Sequence, residues 1–535
     1  MLRYAFRLHR WGMLGFGLTA ALSTYAQGAA FLKLAGSTPA ERAAFVKGVT
    51  SLSKQLLYLL PAPTHVDTLA GYVLWRSWGT LPIIVAVWAV ASAGGAVRGD
   101  EEKLLVDAWL AAAVSRTRLL LTRFAAFGLA AAVVAAAAGL GTLAGAAGVE
   151  AIALQRVAGQ ALALWLFTLA AFAVAYLVAQ VPGSIRGAQG AAAGVLLAAY
   201  LVNALGRSVD AMASGAWVSP FHWYEVTDVL APGGHLDTAG CLLSTGLLLA
   251  GGGLAVLAFR RRDLRRGLFA RPAVPRVRDL PPSPALRRPV ARELYRQRWM
   301  VATWALATVV FAAFMVAIGR GAVDSMVSIP ALRAVLTRGG ADPYRAWVDV
   351  EWFSIAQLLL AGLAIHMVSA WAADDHEGVL TAELSRPRRR WGIVLERAAA
   401  AVVAMALVAA CGTLAAWATS EAAGISLDPA GAVRATWLLV PFGLSFAAIG
   451  AVASVWWPRA AVGALGIIVF LSYLLSELGP ILGWPDWVLN LSAFQLYGTP
   501  ALSGVSWSGL WTMLVIVLAG FGASAALMER REVAA

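Results

Sequence analysis

Charged residues are scarce in this chain of 535 residues, at 13%, whereas hydrophobic residues make up 60%. A soluble domain carries about 25% charged residues, so the composition excludes an ordinary water-soluble fold. The charges cluster in short segments, and between them lie uncharged runs of roughly 20 residues or more, which is long enough to cross a bilayer as a helix. The sequence lacks the alternating polarity of a membrane barrel. Helices are therefore the expected form, because a backbone in lipid has to satisfy its own hydrogen bonds.

Residues for chemistry are also missing. The two cysteines, Cys241 and Cys411, both lie in apolar runs, which excludes a disulfide framework. The six histidines are scattered without the spacing of metal ligands. Neither a GxxxxGK[ST] phosphate-binding loop nor an HExxH motif occurs. We therefore expect no metal, no cofactor and no catalytic residues in this chain.

The apolar runs predict an all-α polytopic membrane protein with about twelve transmembrane helices. The first run starts at Trp11 and is too long for a signal peptide, so we expect it to remain as a span. The expected spans are 11–33, 71–96, 119–145, 158–181, 188–206, 239–259, 299–319, 351–373, 393–418, 432–457, 460–478 and 506–528.

The positive charges predict the orientation. Most of the 42 lysines and arginines fall on one side of the predicted spans, and the positive-inside rule makes that side the cytoplasm. An even number of spans then places both termini there. The outer loops 34–70 and 320–350 are long enough to contain short surface helices.

The segment 260–298 is rich in Arg and Pro and reads as a linker. It divides the chain into a first six-span half, 1–259, and a second, 299–535. Its basic residues could bind anionic lipid headgroups, or could serve only to set the topology.

The two halves also match each other in sequence. Residues Glu101–Arg123 align without gaps on Asp375–Arg397, and SPFHWY at 219–224 corresponds to SAFQLY at 492–497. The matches are collinear, so we predict two homologous six-helix halves that cross the membrane in the same direction.

Two inner loops stand out, 98–123 and 373–397. Each begins with acidic residues, continues as an amphipathic helix and ends with basic residues, an order that suits the helix dipole. One interpretation is an interfacial helix that only anchors the following span.

The second loop also resembles the cytoplasmic loop of ABC-2-type exporter permeases, in its duplicated form similar to the fused permeases of actinobacterial antibiotic and multidrug exporters. The residues that carry the resemblance are Glu377, Gly378, Leu380, Leu384, Pro387 and Arg390. The first loop departs from the pattern, because Leu104 stands at the glycine position and Ala113 at the proline position.

The resemblance implies that residues 100–112 and 374–386 are coupling helices, which dock on two copies of a cytoplasmic ATPase that binds ATP and magnesium. It also implies an amphiphilic, drug-like substrate and a bacterial plasma membrane. The coupling residues would be Glu101, Glu102, Asp107, Asp375, Glu377 and Leu380. An ion-coupled secondary transporter and, less favoured, a membrane-embedded enzyme remain alternatives.

Polar residues within spans suggest two further sites, since ionisable groups in a bilayer are costly. Arg76 and Glu351 occupy similar places in the two halves and could form an outer gate pair, or could each extend to the interface. A second set could line the translocation path or simply join helices. Its members are Tyr200, Asn203, Tyr473, Ser476 and Glu477.

Overall fold

The computed structural model describes residues 1–36, 38–56, 60–268, 284–327, 342–376, 378–385, 388–458 and 460–531. These residues form two compact units, Met1–Val277 and Arg278–Ala535. The described parts of both units contain helices and loops and no strands, as the apolar runs predict.

Unit one begins with one long helix and continues through a series of long and short ones. Its helices are α1 (Leu2–Ala35), α2 (Pro39–Leu56), α3 (Leu69–Val73), α4 (Leu81–Gly94), α5 (Asp100–Glu102), α6 (Leu105–Ala111), α7 (Arg116–Ala146), α8 (Leu154–Val178), α9 (Ile185–Ser208), α10 (Pro220–Glu225) and α11 (Thr238–Arg261). The π-helical segments Leu74–Trp78 and Gly95–Gly99 join α3, α4 and α5, so residues Leu69–Glu102 form one long helical element.

Unit two has nearly the same series. Its helices are α12 (Pro289–Val327), α13 (Pro343–Trp347), α14 (Phe353–His376), α15 (Val379–Leu384), α16 (Arg390–Ala422), α17 (Pro429–Trp456), α18 (Ala461–Leu482), α19 (Asp486–Leu489), α20 (Ala493–Tyr497) and α21 (Trp507–Arg530). A π-helical segment, Val348–Trp352, joins α13 to α14. Short 3-10 helices occur at Asp210–Val218 in unit one and Pro284–Arg287 in unit two.

Ten helices of the described residues are long and apolar enough to cross a membrane. The chain is therefore a multi-pass helical membrane protein. The expected spans 11–33 and 460–478 are helical as well, in α1 and α18, but they do not belong to the ten; in α18 the apolar part is a shorter helix, Ala461–Glu477. The number twelve thus stays a prediction.

Small residues bring the helices of unit one close together. Gly28 of α1 lies against Gly145 of α7, and a Cβ on Gly28 would stand 2.8 Å from the carbonyl carbon of Gly145. Beside this contact, the Thr24 hydroxyl donates to the carbonyl of Ala138 at 2.9 Å. Because lipid supplies little hydrophobic drive between helices, such close approach and polar cross-links stabilise them.

Equivalent helices make the same pairings in unit two. The first long helix packs on the third in both units, and the fourth packs on the sixth. At this second pairing Gly251 meets Ala173 in unit one, whereas Gly520 meets Ala448 in unit two. The π-helical segments Leu74–Trp78 and Val348–Trp352 each end at a fully buried tryptophan.

Candidate functional site

Both units carry a buried ion pair at the end that the charge pattern predicts to face the cytoplasm, called here the inner end. Arg123 donates to Asp100 in unit one, and Arg397 donates to Asp374 at 2.7 Å in unit two. In each pair the acid precedes the arginine by 23 residues. Because a buried charge is tolerated only when it is paired, these contacts fix how the second long helix is joined to the third.

In each unit a further arginine donates a hydrogen bond to a carbonyl at the C-terminus of the last helix. Arg116 donates to the carbonyl of Arg262 at 2.8 Å, and Arg390 donates to the carbonyl of Arg531. The final carbonyls of a helix lack partners within it and carry partial negative charge, which a guanidinium group neutralises. Arg116 and Arg390, equivalent in the sequence alignment, thus make equivalent contacts.

Along the chain, one short helix follows the acid of each ion pair and precedes the arginine that binds the last helix. This helix is α6 in unit one and α15 in unit two. Each helix follows a residue in the left-handed region, Leu104 at φ 59° and Gly378 at φ 73°. Glycine adopts this conformation freely, whereas a residue with a Cβ pays roughly 1–2 kcal/mol. The departure at Leu104 therefore changes the residue but keeps the turn.

One apolar side chain anchors each short helix to its own unit. Val106 and Leu380, the second residues of α6 and α15, are both 2% exposed. The opposite face is exposed and carries small side chains, including Ala108 and Ala111 of α6 and Ala382 of α15. Small side chains let another polypeptide approach the helix backbone closely, so these faces can receive a partner.

Glu101, a predicted coupling residue, points into unit one instead of outwards. Glu101 is 1% exposed, and its carboxylate accepts hydrogen bonds from Arg98 at 2.9 Å and from Arg262. The backbone N–H of Arg265 donates to it at 3.1 Å. Because the Glu101 side chain is bonded within unit one, a partner could reach its exposed neighbours instead.

Arg98 and Arg262 also donate hydrogen bonds to the residues that directly follow α8. Arg98 donates to the carbonyls of Ala179 at 2.9 Å and Gln180 at 2.6 Å, and Arg262 donates to the Gln180 side chain at 2.8 Å. Arg98, Glu101, Gln180 and Arg262 thus form one buried group, called here the Glu101 cluster. It joins the inner ends of the second, fourth and sixth long helices, so α6 is attached to a rigid base.

The other coupling residues predicted in the first loop lie at the surface. Glu102 is exposed, and its carboxylate accepts the backbone N–H of Ile185 at 2.8 Å, at the start of α9. Asp107 is partly exposed and accepts a hydrogen bond from Arg265 at 3.4 Å. Both remain within reach of a partner.

In the second loop the predicted residues are divided. Leu380 is the inward anchor of α15, and Asp375 lies in the last turn of α14. Glu377 lies outside the described residues, as do 386 and 387.

The tyrosines predicted for the translocation path make the same contact in both units. Tyr200 meets the ring of Phe221 edge-on at 5.3 Å between centroids, and Tyr473 meets Phe494 edge-on at 5.6 Å. Each phenylalanine belongs to the matching segment of its unit, SPFHWY in unit one and SAFQLY in unit two. The two segments therefore hold the fifth long helix of each unit at the end opposite α6 and α15.

The serines and final tyrosines of these segments have structural roles. Ser219 and Ser492 cap the short helices α10 and α20. The buried Tyr224 hydroxyl donates to the carbonyl of Trp78 at 3.1 Å, and the Tyr497 hydroxyl donates to that of Ala435 at 2.9 Å. The segments are thus fixed to the long helices of their own units.

The remaining path residues differ in burial. Asn203 is fully buried, Ser476 is partly exposed and Glu477 is exposed. Near Asn203, Arg207 and Glu225 form an ion pair at 2.6 Å with both side chains largely shielded. Burial raises the pKa of Glu225 although the Arg207 guanidinium lowers it. Unit one therefore has a largely shielded charged pair at its outer end that the hydropathy pattern did not reveal.

The predicted gate residues occupy the π-helical segments. Arg76 lies exposed in Leu74–Trp78, and Glu351 lies partly exposed in Val348–Trp352. They belong to different units, and their pairing stays a prediction.

The inner end combines buried ion pairs with exposed short helices, and it lies on a bundle of membrane helices. This arrangement belongs to a multi-pass membrane protein. Residues 286–528 match the family model described as the C-terminal domain of the multidrug efflux system permease Rv1217c. Unit two is therefore similar to an efflux permease, a transport subunit rather than an enzyme. No curated protein matches the chain.

Proposed function

We propose that this chain is the membrane-spanning subunit of an ATP-driven multidrug exporter and that α6 and α15 each dock on one copy of a cytoplasmic ATPase. The observation that carries the proposal is the recurrence of one design in both units. A left-handed residue starts each short helix, an inward apolar residue anchors it, and small side chains occupy its exposed face.

A docking helix must transmit force as well as bind. In unit one the Glu101 cluster connects the base of α6 to three long helices, and in both units an Asp–Arg pair links the second long helix to the third. Buried, paired charges resist displacement because separating them leaves an uncompensated charge. Movement of α6 or α15 by an ATPase would therefore move the attached membrane helices.

The match of residues 286–528 to an efflux permease supports export of drug-like amphiphiles. The equivalent contacts in the two units support an origin by duplication and a topology in which both halves cross in the same direction. We propose that both termini lie in the cytoplasm, on the positive-inside rule, and that the chain lies in a bacterial plasma membrane, as its resemblance to ABC-2-type exporter permeases implies.

The test is to insert a bulky charge on the exposed faces. Ala108→Arg combined with Ala382→Arg should reduce recovery of an ATP-hydrolysing subunit with the tagged chain from native membranes by at least about tenfold, since a charge without a partner in an interface costs several kcal/mol. Drug export should fall in parallel. Ala151→Arg is the matched control, because Ala151 is an exposed alanine in the loop between α7 and α8, at the opposite end of these helices.

Two results would contradict the proposal. One is a tagged wild-type chain that exports drugs from native membranes without any ATP-hydrolysing subunit bound. The other is an unchanged ATPase recovery in the double variant while size-exclusion chromatography shows the protein to be folded.

A second candidate function has one observation in its favour. Glu225, which is largely shielded and paired with Arg207 and whose pKa is raised by burial, is the kind of carboxylate that an ion-coupled carrier uses. Export that survives ATP depletion but stops when the proton gradient is dissipated, and that is lost in Glu225→Gln, would support the carrier instead.

A further inference from the structure

The start of α16 lies beside a basic cavity. A space of about 490 Å³ is lined by Arg388, Arg389, Arg390, Trp391 and Glu529. Its lining thus contains three cations and one anion, and the space is open on one side. The combination favours a negatively charged ligand.

Two of these arginines are held in place by the protein. Arg390 donates to the carbonyl of Arg531, and Arg388 donates to Glu396. A guanidinium group has five N–H donors, so both keep donors for a ligand after these contacts. Arg389 is exposed, with its guanidinium carbon 5.9 Å from the centroid of the Trp391 ring.

The length of α16 indicates where this cavity lies along the membrane normal. The helix has 33 residues and is therefore about 50 Å long, whereas the hydrocarbon core of a bilayer is about 30 Å thick. Its first turn consequently reaches the headgroup level when the apolar middle spans the core. Trp391, which is 38% exposed, is a residue type that concentrates at this level.

We propose that this cavity binds the phosphate of an anionic phospholipid. Arg389 is the principal ligand, Arg388 and Arg390 supply further N–H donors, and the Trp391 ring lies beside the lipid. Guanidinium groups suit phosphate because two parallel N–H donors match two phosphate oxygens. The site does not depend on the proposed ATPase docking, since it requires only the chain and its bilayer.

Unit one provides an internal comparison. A cavity of about 460 Å³ lies at the start of the equivalent helix α7, but Arg118 is the arginine in its lining, and the other members are hydroxyl or apolar side chains such as Ser115 and Leu121. We expect this cavity to show no preference for anionic lipid. Arg118 is exposed like Arg389, so Arg118→Gln is a matched control.

The experiment measures thermal unfolding of the purified full chain in detergent, titrated with phosphatidylglycerol, phosphatidylcholine or inorganic phosphate. Phosphatidylglycerol should raise the midpoint at lower concentration than phosphatidylcholine, and inorganic phosphate should leave it unchanged. Because one arginine contributes about 1 kcal/mol near anionic lipid, Arg389→Gln should weaken the phosphatidylglycerol response about fivefold. Arg389→Lys should give an intermediate response, because it keeps the charge but loses the two parallel donors, and Arg118→Gln should behave as wild type.

Several results would overturn the proposal. An unchanged phosphatidylglycerol response in Arg389→Gln, or an equal loss in Arg118→Gln, would remove Arg389 from the site. Inorganic phosphate acting as strongly as the lipid would make it a site for free anions. Loss of ATPase recovery in Arg389→Gln with an unchanged lipid response would assign the cavity to the ATPase.

Discussion

Replacing Glu101 by glutamine tests whether the Glu101 cluster forms the base of α6. The substitution keeps the size of the side chain and one acceptor oxygen but removes the negative charge between Arg98 and Arg262, whose side chains are each 1% exposed. Removing one partner of a buried ion pair costs about 3–5 kcal/mol. Because glutamine still accepts a hydrogen bond, we expect the lower end, about 3 kcal/mol.

Hydrogen–deuterium exchange of the full chain measures this loss where it occurs. If α6 opens when the cluster breaks, about 3 kcal/mol corresponds to roughly 100-fold faster exchange of its backbone amides. Glu102→Gln is the control, since Glu102 is exposed and most exposed substitutions change stability by less than about 0.5 kcal/mol. The Arg262→Met change should also cost less in Glu101→Gln than in the wild type, because the pair is already broken.

Comparable exchange of α6 in Glu101→Gln and Glu102→Gln would refute this reasoning. It would mean that Arg98 and Arg262 are satisfied by carbonyl groups alone and that the carboxylate adds nothing to the inner end of unit one.

Three further predictions concern single residues. Gly378→Leu should destabilise α15 by roughly 1–2 kcal/mol because of the left-handed backbone, seen as faster amide exchange there; unchanged exchange would argue against that turn. Tyr224→Phe removes the hydroxyl that donates to the Trp78 carbonyl and should lower stability by about 1–3 kcal/mol in thermal unfolding, more than Phe at the exposed Tyr4. The raised pKa of Glu225 means that folding favours its protonated form, so its contribution is present at low pH and is lost as pH rises through the folded pKa. Glu225→Gln should remove this dependence, and identical pH profiles for the two proteins would contradict it.

The membrane helices were predictable because burial in lipid demands long uncharged runs. The runs located the long helices to within a few residues at most ends, although α12 extends beyond its predicted span in both directions. Hydropathy alone gave no sign of the π-helical segments, such as Leu74–Trp78, because it measures the polarity of side chains and not the spacing of backbone hydrogen bonds.

The candidate site was predictable only in part. Acidic starts and basic ends located the two inner loops, but the direction of each side chain depends on partners far away in the chain. Glu101 points inwards because Gln180 and Arg262 lie beside it in the fold. In the sequence, Arg262 was only one of the basic residues of the segment 260–298. Asp100 and Asp374 had a usable signal in the sequence. Each lies one residue before the gapless alignment of the two inner loops, and the last residues of that alignment, Arg123 and Arg397, are the arginines that bind them.

The turn before α6 has a consequence for how such chains are recognised. Leu104 and Gly378 hold almost the same backbone angle with different residues. If the two units descend from one ancestor, what was inherited at this position is a shape, and the glycine that makes it easiest was free to drift. A comparison of residue types alone therefore scores Leu104 and Gly378 as a mismatch, whereas a comparison of backbone angles pairs them.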